Sequence, residues 1–198
     1  MNVRTNVNLL ARPKTAAVTP AVAISFWALH LKKYETSAGQ RSRATPQAEK
    51  RELDDLISRV SGSPGIELFN AVEAGVPTRV VNMIAQASGE PIGAVMDLIG
   101  VSPTTFRRKE EAKECLPDVA GHRVMAYLRV VATLRKLLEE SGDAEALKTF
   151  DLQAWVAKWV RVALPELGGK TPAEMLRNPE GQRAVEQVLE RMRGGLVG

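Results

Sequence analysis

The spacing of apolar residues constrains the fold of this chain more than any other feature. Over residues 118–140 the apolar side chains recur at every third or fourth position, at Val124, Leu128, Val131, Leu134 and Leu138. This spacing places them on one face of an α-helix. Ala, Leu, Glu, Arg and Val dominate the composition, and no run alternates β-branched with polar residues. The sequence therefore predicts an all-α fold.

Glycine and proline interrupt this helical pattern. We expect helices over residues 20–34, 46–60, 77–87, 91–99, 103–115, 118–140, 144–164, 172–176 and 179–193. The clearest breaks are at residues 61–65 and 141–143. They predict three segments: a basic, partly disordered N-terminal extension (1–62), a middle helical segment (63–140) and a C-terminal helical segment (141–198).

Positive charge is concentrated at the N-terminus. The chain has a net charge of +4, but its first 50 residues contain eight Lys or Arg and two acids, which is +6. Residues 1–19 show no apolar pattern, so we expect a mobile basic arm that strengthens DNA binding without selecting a sequence. As an alternative, Phe26 and Trp27 anchor the helix at 20–34 to a partner or to a second subunit.

The turn between the helices at 91–99 and 103–115 indicates a helix-turn-helix. Gly100 suits the left-handed end of the first helix, Ser102 can cap the second, and Pro103 suits its first position. Four apolar side chains can form a small core between them: Val95, Ile99, Val101 and Phe106. Met96 stands where such helix pairs usually have a small residue.

The second helix of this pair is a candidate recognition helix. Its candidate DNA-binding residues are Ser102, Thr104, Thr105, Arg107, Arg108 and Lys109. The first residues of a recognition helix reach base edges, and its cations reach guanine or phosphate. An ordinary helical hairpin with a solvated basic face would show the same pattern.

The stretch from Leu167 to Gly195 contains signals for two capped helices. Thr171 and Glu174 have the spacing of a capping box, with Pro172 at the first helical position. Asn178 and Pro179 repeat the arrangement for the next helix. One face of that helix is apolar: Val185, Val188, Leu189 and Met192, with Ala184 beside them.

This stretch, preceded by a helix-turn-helix, resembles the bacterial antitoxins of the Xre/MbcA/ParS type. The resemblance extends from about Gly75 to the C-terminus. Its most specific part is an ordered set of residues: Gly168-Gly169-Lys170-Thr171-Pro172, Glu174-Met175-Leu176, Gly181, and Val185-Glu186-Gln187-Val188-Leu189 through Arg191 to Gly194.

The resemblance implies the antitoxin of a type II toxin–antitoxin system, with a helix-turn-helix DNA-binding domain over residues 63–140 and a toxin-binding domain over residues 141–198. Such an antitoxin represses its own operon and blocks a RES-domain toxin that consumes NAD or uses it for ADP-ribosylation. NAD is then a substrate of the toxin, and this chain needs no cofactor. The candidate toxin-binding residues are Lys170, Arg177, Arg183, Arg191, Arg193, Leu196 and Val197, the last two in a glycine-rich tail.

Few residues offer chemistry for catalysis or for metal binding. The spacing of His30, His122 and Cys115 matches no zinc motif, and Cys115 is expected to be a small core residue. We therefore expect no catalytic residue, no metal and no enzyme activity. The single cysteine fits a reducing compartment, and no segment reaches the ~18 apolar residues of a membrane span. We expect a cytoplasmic bacterial protein.

Three functions are compatible with these patterns. The first is an antitoxin and repressor, which we expect to form a homodimer or a larger hetero-oligomer with its toxin, because one helix pair reads only a half-site of operator DNA. The second is a stand-alone transcription regulator whose C-terminal helices only dimerise. The third is an interaction protein whose helix-turn-helix has lost DNA binding. Trp155 and Trp159, which share a helical face with Leu152, form either core or an aromatic partner surface.

Overall fold

The structure, a computed structural model, describes residues 26–27, 46–140 and 149–193. These ranges contain a 3-10 turn, Pro165–Leu167, and the helices α1 (Pro46–Gly62), α2 (Gly65–Glu73), α3 (Arg79–Ser88), α4 (Ile92–Ile99), α5 (Pro103–Glu111), α6 (Asp118–Glu140), α7 (Leu152–Trp159), α8 (Pro172–Met175) and α9 (Pro179–Arg193). The prediction of an all-α fold is confirmed. The expectations for residues 1–25, 28–45, 141–148 and 194–198 lie outside the described residues.

Helix α6 is the centre of the core. Helices α1, α2, α4, α7 and α9 all pack on it, and its buried side chains point to more than one side. The predicted stripe is confirmed at Val124, Leu128, Val131 and Leu134, whereas Leu138 is only partly buried. Each large aliphatic side chain that is fully buried stabilises the fold by about 1.5–3 kcal/mol. Helix α6 therefore provides a common apolar surface for five other helices.

Packing also crosses the predicted segment boundaries. Helix α1 packs on α3 and α6, and α7 packs on the same two helices. The break predicted at residues 61–65 is reduced to Ser63 and Pro64, between α1 and α2. The division of the chain at residues 62 and 140 stays a prediction.

Helix α5 ends at Glu111, so the prediction that it continues to Cys115 is wrong. Lys113 has a left-handed φ of 54°, which reverses the direction of the chain after the helix. The chain can then bury Leu116, whose amide donates a hydrogen bond of 2.8 Å to the carbonyl of Val76. Burial of one apolar side chain decides where this helix ends.

The prediction of one helix over residues 144–164 is also wrong. Phe150 interrupts the helical backbone, and Asp151 caps α7 by accepting a hydrogen bond of 3.2 Å from the amide of Ala154. Helix α7 ends at Trp159, and Leu164 is extended. Proline disfavours helical backbone in the residue before it, so Pro165 accounts for the conformation of Leu164.

Helix α2 is absent from the predictions made from sequence. Leu68, Ala71 and Val72 have helical spacing and pack towards the core, but the helix has only nine residues. Ile66 and Phe69, on its other side, are exposed. A short segment with apolar residues on all sides shows no amphipathic face, and the local pattern was therefore weak.

The dipeptide Phe26–Trp27 packs on α1 and α2 of its own chain. Both rings are buried, with centroids 4.9 Å apart in an edge-to-face arrangement. The guanidinium carbon of Arg59 lies 4.7 Å from the centroid of the Phe26 ring. The alternative that these two residues anchor a partner or a second subunit is wrong, because contacts within the chain already bury both rings.

The indole of Trp27 also supplies a hydrogen-bond donor at the C-terminal end of α2. Its N–H donates a hydrogen bond of 2.8 Å to the carbonyl of Ala71. Ala71 lies in the last turn of α2, where carbonyl groups lack partners within the helix. The contact therefore satisfies a buried acceptor across 44 residues of sequence.

We expect Trp27→Phe to lower the free energy of unfolding by about 1–3 kcal/mol, because the Ala71 carbonyl would remain buried without its donor. Trp155→Phe is the matched control. The Trp155 indole is partly exposed and hydrogen-bonds to no described residue, so its replacement should change stability by less than about 0.5 kcal/mol. Urea unfolding of both full-length variants makes the comparison. Equal losses would show that the Trp27 hydrogen bond contributes nothing.

Candidate functional site

The turn between α4 and α5 has the geometry that the sequence predicted. Gly100 ends α4 in the left-handed conformation, with a φ of 69°. The hydroxyl oxygen of Ser102 accepts a hydrogen bond of 3.2 Å from the amide of Thr105, and Pro103 is the first residue of α5. Met96 is buried, so its longer side chain fits between the helices. The four predicted core residues are buried as well: Val95, Ile99, Val101 and Phe106.

A side chain of α6 contacts this turn and stabilises it. Nη1 of Arg123 donates a hydrogen bond of 3.3 Å to the carbonyl of Ile99, one of the last carbonyls of α4. A Cβ atom at Gly100 would lie 1.8 Å from the same nitrogen and would displace the arginine. No sequence pattern indicated Arg123, because only the packing of α6 brings it to the turn.

Helix α5 presents a small basic face to solvent. Thr104, Arg107 and Arg108 are exposed, and neither guanidinium forms an ion pair or hydrogen bond with another residue in the described ranges. Lys109 differs, because its Nζ lies 2.8 Å from the carboxylate of Glu114. The hydrogen bond from Lys109 lowers the pKa of Glu114. Arg107 and Arg108 are therefore the best placed cations for a phosphate or a guanine edge.

The predicted capping box at the start of α8 is confirmed. The hydroxyl oxygen of Thr171 accepts a hydrogen bond of 3.2 Å from the amide of Glu174, and the Glu174 carboxylate accepts one of 2.8 Å from the amide of Thr171. The second of these bonds is the main cause of the lowered pKa of Glu174, because it stabilises the ionised carboxylate. The box fixes the direction in which α8 leaves the turn.

The predicted cap of α9 is confirmed too. The side-chain oxygen of Asn178 accepts a hydrogen bond of 2.9 Å from the amide of Gly181. Gly181 also lies against the end of α8, where a Cβ atom would come within 2.0 Å of the carbonyl oxygen of Met175. The helix buries Val185, Val188 and Leu189. Met192, predicted for the same face, is 41% exposed.

The candidate toxin-binding cations lie at the surface of the C-terminal helices. They are Lys170, Arg177, Arg183, Arg191 and Arg193. Arg183 pairs with Glu180 at 3.2 Å. Arg193 donates two hydrogen bonds, of 2.6 and 2.8 Å, to the carboxylate of Glu140. This pair joins the end of α9 to the end of α6, and its hydrogen bonds lower the pKa of Glu140.

The two tryptophans of α7 lie in different environments. Trp159 is buried, with 8% of its surface exposed, whereas Trp155 is 39% exposed. Their rings stack with centroids 5.9 Å apart. The core interpretation therefore holds for Trp159, and Trp155 extends from the core to the surface.

Few other groups in the described ranges offer chemistry. These ranges contain no cluster of three His, Cys, Asp or Glu side chains that could bind a metal ion. Burial raises the pKa of the Cys115 thiol, the opposite of what a nucleophilic thiolate requires. No helix among the described residues is long and apolar enough to cross a membrane. Leu196 and Val197 lie outside the described residues.

Comparison with known proteins gives the class of protein that these helices define. Residues 144–195 match the family model of the antitoxin Xre/MbcA/ParS C-terminal toxin-binding domain. The resemblance stated from the sequence is thereby confirmed, and the C-terminal part of the chain is similar to the toxin-binding domains of this family.

A longer match supports the same class. The chain is 25% identical over 130 residues to the "Prs ADP-ribosylating antitoxin" of Sphingobium sp. (strain YBL2), covering 66% of this chain and 80% of that protein. The match is longer than the toxin-binding domain, so the similarity includes residues outside it. Both comparisons show similarity to antitoxins of toxin–antitoxin systems.

We expect Gly181→Ala to destabilise the protein by about 1–3 kcal/mol, because the new methyl group would meet the backbone of Met175. Gly93→Ala is the matched control. Gly93 also lies in a helix, but nothing lies within 4 Å of its Cβ position, so alanine should stabilise by up to about 1 kcal/mol. Thermal and urea unfolding of the full chain measure both changes. An unchanged midpoint for Gly181→Ala would contradict the close approach of α8 and α9.

Proposed function

We propose that this protein is the antitoxin of a type II system and neutralises a RES-type toxin that consumes NAD or uses it for ADP-ribosylation. The match of residues 144–195 to a toxin-binding domain carries the proposal. The name of the Sphingobium relative, which contains the words "ADP-ribosylating antitoxin", supports the chemistry of the toxin. The match favours this function over a stand-alone regulator, whose C-terminal helices would serve dimerisation alone.

Neutralisation by steric block requires no chemistry from the antitoxin. Capping at Thr171 and Asn178 fixes the starts of α8 and α9 before the toxin binds, which limits the entropy lost on association. Lys170, Arg177 and Arg191 are exposed and form no ion pair with a described residue. Cations of this kind suit a toxin cleft with an acidic rim. NAD is then the substrate of the toxin, and the antitoxin needs no cofactor and no catalytic residue.

The C-terminal tail is the proposed plug of the toxin cleft. Residues 194–198 follow directly after Arg191 and Arg193, and Leu196 and Val197 are their apolar members. An apolar tail flanked by arginines could enter a cleft of the size that NAD requires, with the arginines at its rim.

Deleting residues 194–198 should weaken toxin binding and reduce the protection of cells that express the toxin. Growth under co-expression and calorimetric titration of the purified proteins measure the two effects. A variant that lacks only Gly198 is the control for shortening the chain, and it should behave like the wild type. A truncated protein that protects fully and binds as tightly would show that α8 and α9, rather than the tail, block the toxin.

We also propose that α5 enters the major groove of operator DNA and that the antitoxin represses its own operon. Gly100 and the Ser102 cap give the turn of a helix-turn-helix. The proposed contacts are Ser102, Thr104, Thr105, Arg107, Arg108 and Lys109. One such helix pair reads a half-site, so we propose that at least two copies of the chain bind together.

Arg107→Ala and Arg108→Ala should each weaken binding to a DNA fragment from upstream of the gene. An arginine that reads a base should cost roughly 1–3 kcal/mol, and one that contacts phosphate should reduce the salt slope by about 1. Arg183→Ala is the matched control, because this exposed arginine lies on α9. Salt-dependent titrations compare the three variants. If all three bind like the wild type while remaining folded, α5 is not the recognition helix.

A further inference from the structure

The toxin-binding domain has an apolar surface in addition to its basic side chains. Three large apolar side chains, each 39–41% exposed, border one groove: Phe150, Trp155 and Met192. The groove has a volume of about 330 Å³, and three leucines of α6 line it from the other side: Leu134, Leu137 and Leu138. We call this feature the aromatic groove. A cluster of this kind on the surface is typical of a protein contact site.

Trp155 is held in place before any partner arrives. Its ring stacks on Trp159 with the ring planes 14° apart, and the centroid of Phe150 lies 6.1 Å from its own. Because Trp159 is buried, the surface on which Trp155 stacks is fixed by the core. A fixed aromatic ring loses little conformational entropy on binding, which is a property of interface hot spots.

The electrostatics of the aromatic groove distinguish between kinds of partner. The charged groups that line it are Glu140 and Arg193, and they pair with each other at 2.6 Å. A groove whose two charges neutralise each other offers nothing to a phosphate backbone, so nucleic acid is a poor occupant. An apolar protein side chain fits it better. The Trp155 indole N–H, which hydrogen-bonds to no residue in the described ranges, can donate to a carbonyl or carboxylate beside that side chain.

We propose that the aromatic groove is the docking site for an apolar side chain of the toxin, an inference that rests on the proposed function. Phe150, Trp155 and Met192 all lie within the residues that match a toxin-binding domain, so the groove is continuous with the surface assigned to the toxin. Met192 also lies at the end of α9, directly before the proposed plug. The groove supplies affinity by apolar burial.

The first test compares the affinity of variants for the protein encoded by the neighbouring toxin gene. Trp155→Ala should weaken binding by about tenfold or more, because central tryptophans dominate interface energies. Phe69→Ala is the matched control. Phe69 is an exposed aromatic residue on α2, outside the toxin-binding domain, and its removal should leave the affinity unchanged.

A second variant keeps the inference testable if Trp155→Ala fails to fold. Met192→Glu places a charge in the aromatic groove without removing the stacked rings, and it should also weaken toxin binding by about tenfold. Circular dichroism and thermal melts confirm that each variant is folded. If both folded variants bind the toxin as tightly as the wild type, the groove is not its docking site.

A spectroscopic readout locates the contact directly. The chain has three tryptophans, so 5-fluorotryptophan labelling gives three fluorine signals, and Trp155→Phe assigns one of them. Unlabelled toxin should shift the Trp155 signal and leave that of Trp27 unchanged, since Trp27 is buried on α2. An unmoved Trp155 signal at saturating toxin would overturn the inference.

The outcomes separate this inference from the proposed function. If the wild-type chain does not bind the toxin at all, the proposed function fails. If the wild type binds and the groove variants bind equally well, only the groove assignment fails. Sedimentation of the same variants tests the competing occupant, a second copy of the chain. A loss of self-association with unchanged toxin affinity would assign the groove to the homodimer and overturn the inference.

Discussion

Burial of α6 is the interaction on which the other described elements depend. Helices from both ends of the chain pack on its sides, so no single neighbour covers it. With 23 residues it is about 34 Å long. Arg123, near its beginning, braces the turn before α5, and Glu140, at its end, binds Arg193 of α9. One rigid helix therefore connects the candidate DNA-binding and toxin-binding surfaces.

A second set of contacts joins the two surfaces more directly. Helix α7 packs on α3, and just beyond α7 the guanidinium of Arg161 lies 3.4 Å from the carboxylate of Glu90. Nη2 of Arg161 also donates to the carbonyl of Ala94, in the first turn of α4, at 3.5 Å. Close-packed interiors transmit displacement rather than absorb it. These contacts join the segment after α7 to the start of α4, the helix that precedes the turn at Gly100.

The two candidate surfaces use different physical interactions. On α5, Arg107 and Arg108 offer unpaired charge, which suits phosphate groups and depends on salt concentration. At the aromatic groove the charges of Glu140 and Arg193 neutralise each other, and Trp155 offers an aromatic ring fixed by stacking. The proposed DNA and toxin partners therefore use separate surfaces of the chain.

The sequence by itself determined the structures that form within a few residues. The Ser102 cap, the Thr171–Glu174 box and the Asn178 cap all join residues three positions apart, so their hydrogen bonds depend on local sequence alone. The apolar face of α6 could equally be predicted from the sequence, because 23 residues repeat the helical period many times. The family resemblance followed from the same local motifs.

Only the tertiary structure decided which of these side chains are buried and which remain at the surface. Trp155 and Trp159 are one helical turn apart, yet the core covers only the second. Met192 fits the apolar period of α9, but it lies in the last turn of the helix and remains partly exposed. Burial of Leu116 ended α5 early, and Arg123 reached Gly100 only through the packing of α6. Local hydrogen bonds depend on neighbours in sequence, whereas burial depends on which distant helix covers a face.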